Sequence, residues 1–237
     1  NADGGTVTML NNVTVTTSIA ATSDFTLDLN GKTITGNSNV ASIFLIYRNG
    51  NVIICDTNRT NVGLIKATSY ATANGLFNLQ GGKLTIQDGT FQANKATIYA
   101  MSGELVINGT FTGEVFIYHP VSTSISGGTF SQIHAAYSTI SSLLANWYGF
   151  KRISNNAWLS SRDIIQEYSY SQVTVTEAPD LNIAITANQV YSYGDPIDLT
   201  ANLSDLDSNK SVTYQWYFVD FNDNHHILDP IAEASEN

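Results

Sequence analysis

Three aspartates stand at comparable positions, each at the end of an apolar alternating segment: Asp28, Asp56 and Asp88. Stacked side by side, they would form an acidic row. A polysaccharide hydrolase needs two or three carboxylates on one face, and a lyase needs carboxylates around Ca²⁺ with a basic side chain. Two of the three precede turn residues, however, where Asp is favoured for bonding to nearby backbone N–H groups. We therefore predict turn roles for these aspartates and no catalytic residue.

Three tyrosines each stand just before a turn, in "IYRNG", "IYAMSG" and "IYHP": Tyr47, Tyr99 and Tyr118. Stacked strands would line them along one edge, with His119 beside the last of them. Aromatic rings among Asn, Gln and Ser suit contact with a sugar or a peptide. We predict that Tyr47, Tyr99, Tyr118 and His119 bind a ligand. The alternative is that these rings only pack the corners of the stack and bind no ligand.

Candidate metal ligands are sparse. His119 and His134, which are 15 residues apart, would lack a clear third ligand. Two groups in the C-terminal segment are further candidates, although solvated loops explain both more simply. Asp220, Asp223, His225 and His226 would suit a divalent ion, and Asp205 and Asp207 would suit Ca²⁺. We predict no metal and no cofactor, with Ca²⁺ as the one weak alternative.

The positions of these candidate side chains depend on a repeat in the sequence. The segments "LTIQDGTF", "LVINGTF" and "SISGGTF" end in Phe after intervals of 20 and then 19 residues. A unit of this length with one apolar face cannot bury it alone, so neighbouring units must stack. Strands about 4.8 Å apart then predict two internal ladders, with a one-residue slip at the corner. The ladders are Phe91, Phe111 and Phe130, and Ile86, Ile107 and Ile125. An antiparallel sandwich is the alternative.

Residues 137–152 are suited to covering an open end of such a stack. Ile140, Leu143, Leu144 and Trp147 have the i, i+3, i+4, i+7 spacing of a helix, and Gly149 stands where a helix would end. We predict a short capping helix here. Residues 153–177 should add an irregular strand pair and an exit strand.

The composition and the pattern of the sequence change near residue 178. Residues 1–150 hold 7 of the 20 acidic residues, and the last 87 hold 13. The later part contains "VTYQWYFV" and resembles the first half of a bacterial immunoglobulin-like surface domain, whose Trp, here Trp216, packs between two sheets. We predict domains at 1–177 and 178–237. The second is apparently incomplete: the chain is cut, the rest is disordered, or another chain supplies a strand by edge pairing.

Composition limits the partners. The net charge is -10, which disfavours binding to nucleic acid or to anionic membrane surfaces. No run of 18 or more apolar residues occurs, so we expect no membrane insertion by this segment. A single Cys in a chain rich in Thr and Asn is typical of a bacterial secreted protein built without disulfides.

The segments "FTLDLNGKTITG", "ISGGTF" and "SLLANWYGFK" are similar to parts of right-handed parallel β-helix regions in large cell-surface proteins of Gram-positive bacteria. Immunoglobulin-like modules often follow such regions. The resemblance implies an all-β chain, in which a right-handed parallel β-helix with a short capping helix precedes a partial immunoglobulin-like β-sandwich.

The same resemblance implies an extracellular protein, on the cell surface or attached to the wall, with an adhesive or structural role. Its partner would be a glycan or a protein on a surface, and the C-terminal module could pair strands with another chain. Fold alone does not fix function, so two alternatives stay open. One is a polysaccharide lyase or hydrolase, and the other is a fibre subunit joined by strand complementation.

Overall fold

The computed structural model of the chain describes residues 4–37, 40–67, 74–118, 120–136, 140–146, 148–159 and 169–177, and the backbone of strands 182–187, 199–204, 217–219 and 227–230. The regular secondary structure of these described residues is almost all β-strand, with one short 3-10 helix at Ile140–Leu143 and no α-helix. The chain divides into two compact units, Asn1–Ala178 and Pro179–Asn237.

The described strands of the first unit belong to a single sheet of fifteen strands, which does not close on itself. The strands are β1 Gly5–Thr8, β2 Val13–Val15, β3 Ile19–Ala21, β4 Phe25–Asp28, β5 Thr33–Gly36, β6 Phe44–Ile46, β7 Asn51–Cys55, β8 Leu64–Ala67, β9 Phe77–Ile86, β10 Thr90–Ile107, β11 Thr110–Tyr118, β12 Ser122–Ile125, β13 Gly128–Ala136, β14 Tyr148–Arg152 and β15 Ser169–Glu177.

Strands β1 to β13 pair in parallel along three ladders. Ladder 1 contains β1, β4, β7, the end of β9, the end of β10 and β12. Ladder 2 contains β2, β5, β8 and the first residues of β10, β11 and β13. Ladder 3 contains β3, β6, the start of β9, the middle of β10, and the ends of β11 and β13. The chain visits ladders 1, 2 and 3 in turn, and we call each such set of three strands a layer.

Inward side chains stack from layer to layer at matching register. In ladder 2 the stack runs through Val13, Ile34, Ile65, Phe91, Phe111 and Phe130. The last three rings are fully buried and lie 5.1 Å apart, nearly parallel. Ile86, Ile107 and Ile125 pair in the same way in ladder 1. Both predicted ladders are confirmed, and the antiparallel sandwich is wrong for this region because the pairing is parallel.

The corner between ladders 1 and 2 absorbs the predicted one-residue slip. The Ile and Phe of successive repeats are separated by five, four and five residues, yet both remain in register. Backbone hydrogen bonds resume on the far side, where Thr110 N donates to Gly89 O at 3.0 Å and Thr129 N donates to Gly109 O at 2.8 Å. Gly128, with φ +109°, is required here because a Cβ would lie 2.5 Å from the Gly109 carbonyl oxygen.

The predicted capping helix over 137–152 is wrong. Ile140–Leu143 forms a single 3-10 turn, and the residues that follow return to the sheet. Leu144 makes a parallel bridge to Ile125, so the chain adds one more step to ladder 1. Sheet pairing therefore outweighs the helical spacing of the apolar residues, as tertiary context commonly does for short segments.

Gly149 also has a different role from the predicted one. It lies inside β14, which pairs antiparallel with β15. A Cβ at Gly149 would lie 2.7 Å from ring carbon Cζ3 of Trp158, so the glycine allows the ring to approach the strand. Trp147, the fourth residue of the predicted helix, lies outside the described residues.

Strand β15 follows β13 in the order of the described sheet, and β14 lies at the edge beyond it. Strand β15 pairs antiparallel with β13: Val173 lies opposite Phe130 in ladder 2, and Tyr170 lies opposite Ile133 in ladder 3. Strand β15 therefore covers both ladders. The exit strand predicted within 153–177 is confirmed.

The second unit contains two antiparallel strand pairs in its described part. Strands β16 Asn182–Ala187 and β17 Leu199–Ser204 form one pair, and β18 Tyr217–Val219 and β19 Ile227–Pro230 form the other. Trp216 lies outside the described residues, so its predicted core position stays a prediction.

If the ring stack stabilises the sheet, removing one ring from its middle should cost far more than removing a ring from the surface. We expect Phe111→Ala to lower the free energy of unfolding by about 3–5 kcal/mol, the usual cost of deleting a buried Phe ring. Phe116→Ala, whose ring points outward five residues later, should cost clearly less. Urea denaturation of both variants checks this, and equal losses would contradict the assignment of inward and outward faces.

Candidate functional site

An outward row of large side chains follows ladder 3. Ile98, Val115 and Ile133 point inward and are fully buried. The residues that follow them therefore point outward, since side chains alternate along a strand. The register places these outward residues in one row across neighbouring strands, in the order Leu45, Asn78, Tyr99, Phe116 and His134.

Four rings of this row and its flank contact one another, and we call them the aromatic face: Tyr99, Phe116, Tyr118 and His134. Tyr99 stacks on Phe116 with centroids 5.4 Å apart, and Phe116 is followed by His134 at 4.6 Å. Tyr118 lies on the same strand as Phe116, 4.9 Å from its ring and 5.9 Å from that of Tyr99. All four are half-buried, so each presents part of its ring to solvent.

Polar groups border the aromatic face. The Tyr99 and Tyr118 hydroxyl oxygens lie 3.5 Å apart, with Tyr99 as the donor. This contact is the main cause that raises the pKa of Tyr99, because it favours the neutral phenol; burial and the nearby Glu114 carboxylate add to it. On the other side, Oε1 of Glu114 lies 3.6 Å from Nδ1 of His134. Hydroxyl, carboxylate and imidazole groups thus surround the rings.

Asn78 adds an amide at one end of the face. It is in register with Tyr99 and only 3% exposed, and its Oδ1 has no hydrogen-bond partner among the described residues. Buried polar atoms without a partner are uncommon in folded proteins and call for a specific explanation. The atom has almost no accessible surface, so it is not open to a ligand in this structure.

The structure brings together two of the predicted tyrosines. Tyr99 and Tyr118 lie on neighbouring strands in the aromatic face. Tyr47 follows β6, and β9 runs between β6 and the strand of Tyr99, so Tyr47 lies about 10 Å away along the ladder. It is 38% exposed. His119 lies outside the described residues, so its predicted role stays a prediction.

The sequence analysis missed Phe116, and it considered His134 only as a metal ligand and rejected that role. The signal was present in "EVFIY", where Val115 and Ile117 alternate with Phe116 and Tyr118. Period-2 alternation assigns the second pair to the opposite face from the first. The register that stacks Phe116 between Tyr99 and His134 depends on the corner lengths and could not be read from this segment alone.

The three aspartates do not form an open acidic row. Asp28 and Asp56 are buried, and each accepts backbone hydrogen bonds from the neighbouring corner. Asp28 Oδ1 accepts from the N–H of Asn30 at 2.9 Å and of Thr57 at 3.0 Å, while Oδ2 accepts from the Thr57 hydroxyl at 2.7 Å. Both carboxylate oxygens are therefore engaged in holding one corner to the next.

Asp56 and Asp88 also accept hydrogen bonds from backbone N–H groups, but only Asp56 links two corners. Asp56 accepts from the N–H of Gly31 at 2.7 Å through one oxygen and from that of Gly63 at 2.5 Å through the other. Asp88, which is exposed, accepts from the adjacent Gly89 N–H at 2.7 Å. The predicted turn role of these aspartates is confirmed.

The electrostatics of Asp28 reflect these bonds. Burial is the largest single influence and acts to raise its pKa, but the three hydrogen bonds from Thr57 and Asn30 together outweigh it and hold the pKa below the ordinary value. The carboxylate is therefore ionised at neutral pH. A charged acceptor of this kind makes stronger hydrogen bonds than a neutral one.

Within the described part of the chain, no three His, Cys, Asp or Glu side chains converge closely enough to hold a metal ion. His119 lies outside the described residues, and so do the six C-terminal candidates: Asp205, Asp207, Asp220, Asp223, His225 and His226. Among the described residues, no helix has the length and apolar character needed to cross a membrane.

Comparison of the chain with protein-family models, with curated proteins and with solved structures finds no match. Its function therefore has to be inferred from the residues of the aromatic face and their surroundings.

The Asp28 corner generates a prediction about pH. Because the folded-state pKa of Asp28 is lowered, its carboxylate stabilises the fold above about pH 4, and this contribution is lost as the pH falls through the folded pKa. We expect Asp28→Asn to lower the free energy of unfolding by about 1–3 kcal/mol at pH 7. Urea denaturation between pH 7 and pH 3 should show this difference shrinking below about pH 4.

Asp88→Asn is the matched control, since the exposed Asp88 bonds only to its neighbour. Its cost should be small at every pH. A loss for Asp28→Asn that stays constant down to pH 3 would contradict a stabilising carboxylate at this corner.

Proposed function

We propose that the first unit is a right-handed parallel β-helix of an extracellular, surface-displayed bacterial protein, and that it binds a glycan without catalysing a reaction. Three features support the architecture: parallel pairing on all three ladders, regular passage of the chain from one ladder to the next, and inward stacks that continue through successive layers. The resemblance of "FTLDLNGKTITG" and "ISGGTF" to β-helix regions of surface proteins supports the setting.

The aromatic face carries the functional proposal. A sugar ring has an apolar face of C–H groups and an edge of hydroxyls, and exposed aromatic rings bordered by hydrogen-bonding groups match both. Tyr99 and Phe116 offer stacked ring surface, and Tyr118 and Glu114 offer polar atoms around it. The face runs across the strands, so a linear glycan lying along it would contact one strand after another.

Charge favours a neutral glycan over an anionic one. The whole chain carries a net charge of -10, and Glu114 adds a carboxylate next to the face. Repulsion would weaken binding of a polyanion such as nucleic acid or an acidic polysaccharide.

The corner aspartates support a non-catalytic role. The carboxylates that a hydrolase would use as acid and base are the acceptors of the corner hydrogen bonds at Asp28 and Asp56. They also follow strands of ladder 1, whereas the exposed rings lie on ladder 3. In this proposal the second unit has an immunoglobulin-like architecture, with which its two described antiparallel strand pairs are compatible.

A glycan array probed with the full chain tests the proposal. We expect binding to neutral oligosaccharides, and we expect Tyr99→Ala and Phe116→Ala each to weaken it at least about tenfold, since truncating a central aromatic anchor commonly costs about 2 kcal/mol. Val62→Ala is the control, because this exposed side chain lies at the corner before β8 of ladder 2, away from ladder 3, and the variant should bind as the wild type does.

Two results would refute the proposal. One is binding that is absent, or that survives both ring substitutions. The other is release of reducing or unsaturated sugar ends that Asp56→Asn abolishes, which would make the protein a hydrolase or lyase. Circular dichroism of each variant verifies that the fold is retained.

A further inference from the structure

Two tyrosines of the aromatic face contact each other through their phenol groups. Tyr99 lies on β10, and Tyr118 lies on the neighbouring strand β11, two residues beyond the register partner of Tyr99. The Tyr99 hydroxyl donates to the Tyr118 oxygen at 3.5 Å, and the ring centroids lie 5.9 Å apart with the ring planes at 78°. The pair therefore bridges two neighbouring strands at the outer surface of ladder 3.

This contact places the reactive carbons of the two rings next to each other. When a phenol loses one electron and its proton, the radical is shared between the oxygen and the ring carbons beside Cζ, which are the Cε atoms. Each Cε is separated from the phenol oxygen by Cζ alone, so the contact between the oxygens of Tyr99 and Tyr118 also brings their Cε atoms together. Two rings joined at these carbons twist out of a common plane, and the angle of 78° is compatible with such a product.

The surroundings favour a reaction between these two rings. Both are half-buried, so each ring is held by packing and still has an edge that solvent reaches. Phe116 lies against both of them, 5.4 Å from the Tyr99 ring and 4.9 Å from the Tyr118 ring. Holding two reacting groups side by side removes most of the entropic cost of bringing them together.

A covalent link at this position would tie one strand to the next. The sequence contains a single Cys, so no disulfide within it can do this. Tyr99 and Tyr118 are 19 residues apart in the sequence. A link between them closes a loop, and such a loop stabilises the folded state mainly by restricting the unfolded chain.

We propose that Tyr99 and Tyr118 are a modification site, at which a peroxidase with hydrogen peroxide forms an intramolecular dityrosine cross-link. Each phenol loses one electron and its hydroxyl proton and becomes a phenoxyl radical. The two radicals form a bond between their Cε atoms, and each of these carbons then loses its hydrogen as a proton while its phenol oxygen regains one. The peroxide accepts the two electrons and two protons and leaves as two water molecules. The reaction requires no bound glycan.

Peroxidase treatment of the dilute full chain, followed by isolation of the monomer and peptide mass spectrometry, tests the proposal. Trypsin with a glutamate-specific protease leaves Tyr99 in residues 96–104 and Tyr118 in residues 115–151. These two peptides separate unless a cross-link joins them. We expect the wild-type monomer to yield the joined pair, with the sum of the two peptide masses less two hydrogen atoms, together with dityrosine fluorescence.

Phenylalanine variants identify the linked residues. Tyr99→Phe and Tyr118→Phe should each abolish the joined pair, because Phe lacks the hydroxyl from which the radical forms. Tyr47→Phe is the matched control, since it removes an exposed phenol two strands from Tyr99 and should leave the yield unchanged. Circular dichroism verifies the fold of each variant.

Three results would overturn the proposal. The first is a wild-type monomer without the joined pair, and the second is a link found only between separate chains. The third is a joined pair that Tyr118→Phe forms at the wild-type yield through another tyrosine of residues 115–151.

Urea denaturation provides a second readout, which separates the cross-link from oxidation elsewhere. The cross-linked wild-type monomer should unfold at a higher urea concentration than the untreated chain, because the link restricts the unfolded state. Treated Tyr118→Phe should unfold at the same concentration as before treatment. No increase in the wild type, or an equal increase in Tyr118→Phe, would contradict a link that the folded pair is arranged to form.

Discussion

In-register stacking of inward side chains is the interaction on which the first unit depends. Neighbouring parallel strands lie about 4.8 Å apart, and flat rings or branched aliphatic chains at the same register position fill that spacing. Phe91, Phe111 and Phe130 therefore stack with neighbouring ring centroids 5.1 Å apart. Each further layer extends the core by placing similar side chains at the same register positions. A shift of one residue would turn the inward set outward, so the stack also fixes the register.

The same constraint produces the candidate site. Because side chains alternate along each strand, holding Val115 and Ile117 inside forces Phe116 and Tyr118 outside. In-register pairing then aligns Phe116 with Tyr99 on the strand before and with His134 on the strand after. The corners at Asp28 and Asp56 hold one layer to the next through charged hydrogen bonds, so the outward row of ladder 3 takes no part in those contacts.

The core was predictable from the sequence because its signal is a repeat. Phe and Ile recur at nearly constant intervals, and stacking is the physical reason for such recurrence. The end of the stack was not predictable in the same way. Leu143 and Leu144 have helical spacing relative to Ile140. However, the free edge of ladder 1 offers Leu144 a strand partner in Ile125, and no local pattern reveals that edge. Tyr47 illustrates a second limit of prediction from sequence. The turns after Tyr47 and Tyr99 look alike, but they do not reveal that β9 lies between β6 and the strand of Tyr99.

The central claim is that consecutive repeats lie on adjacent parallel strands in register, and methyl NOE spectroscopy of isoleucine-labelled protein tests it most directly. Cross-peaks should link Ile86 with Ile107 and Ile107 with Ile125, because each pair is matched across one strand spacing of about 4.8 Å. Ile86 and Ile125 should give none directly, being two strands apart. Loss of both expected cross-peaks, with these isoleucines instead contacting residues of oppositely running strands, would contradict the account.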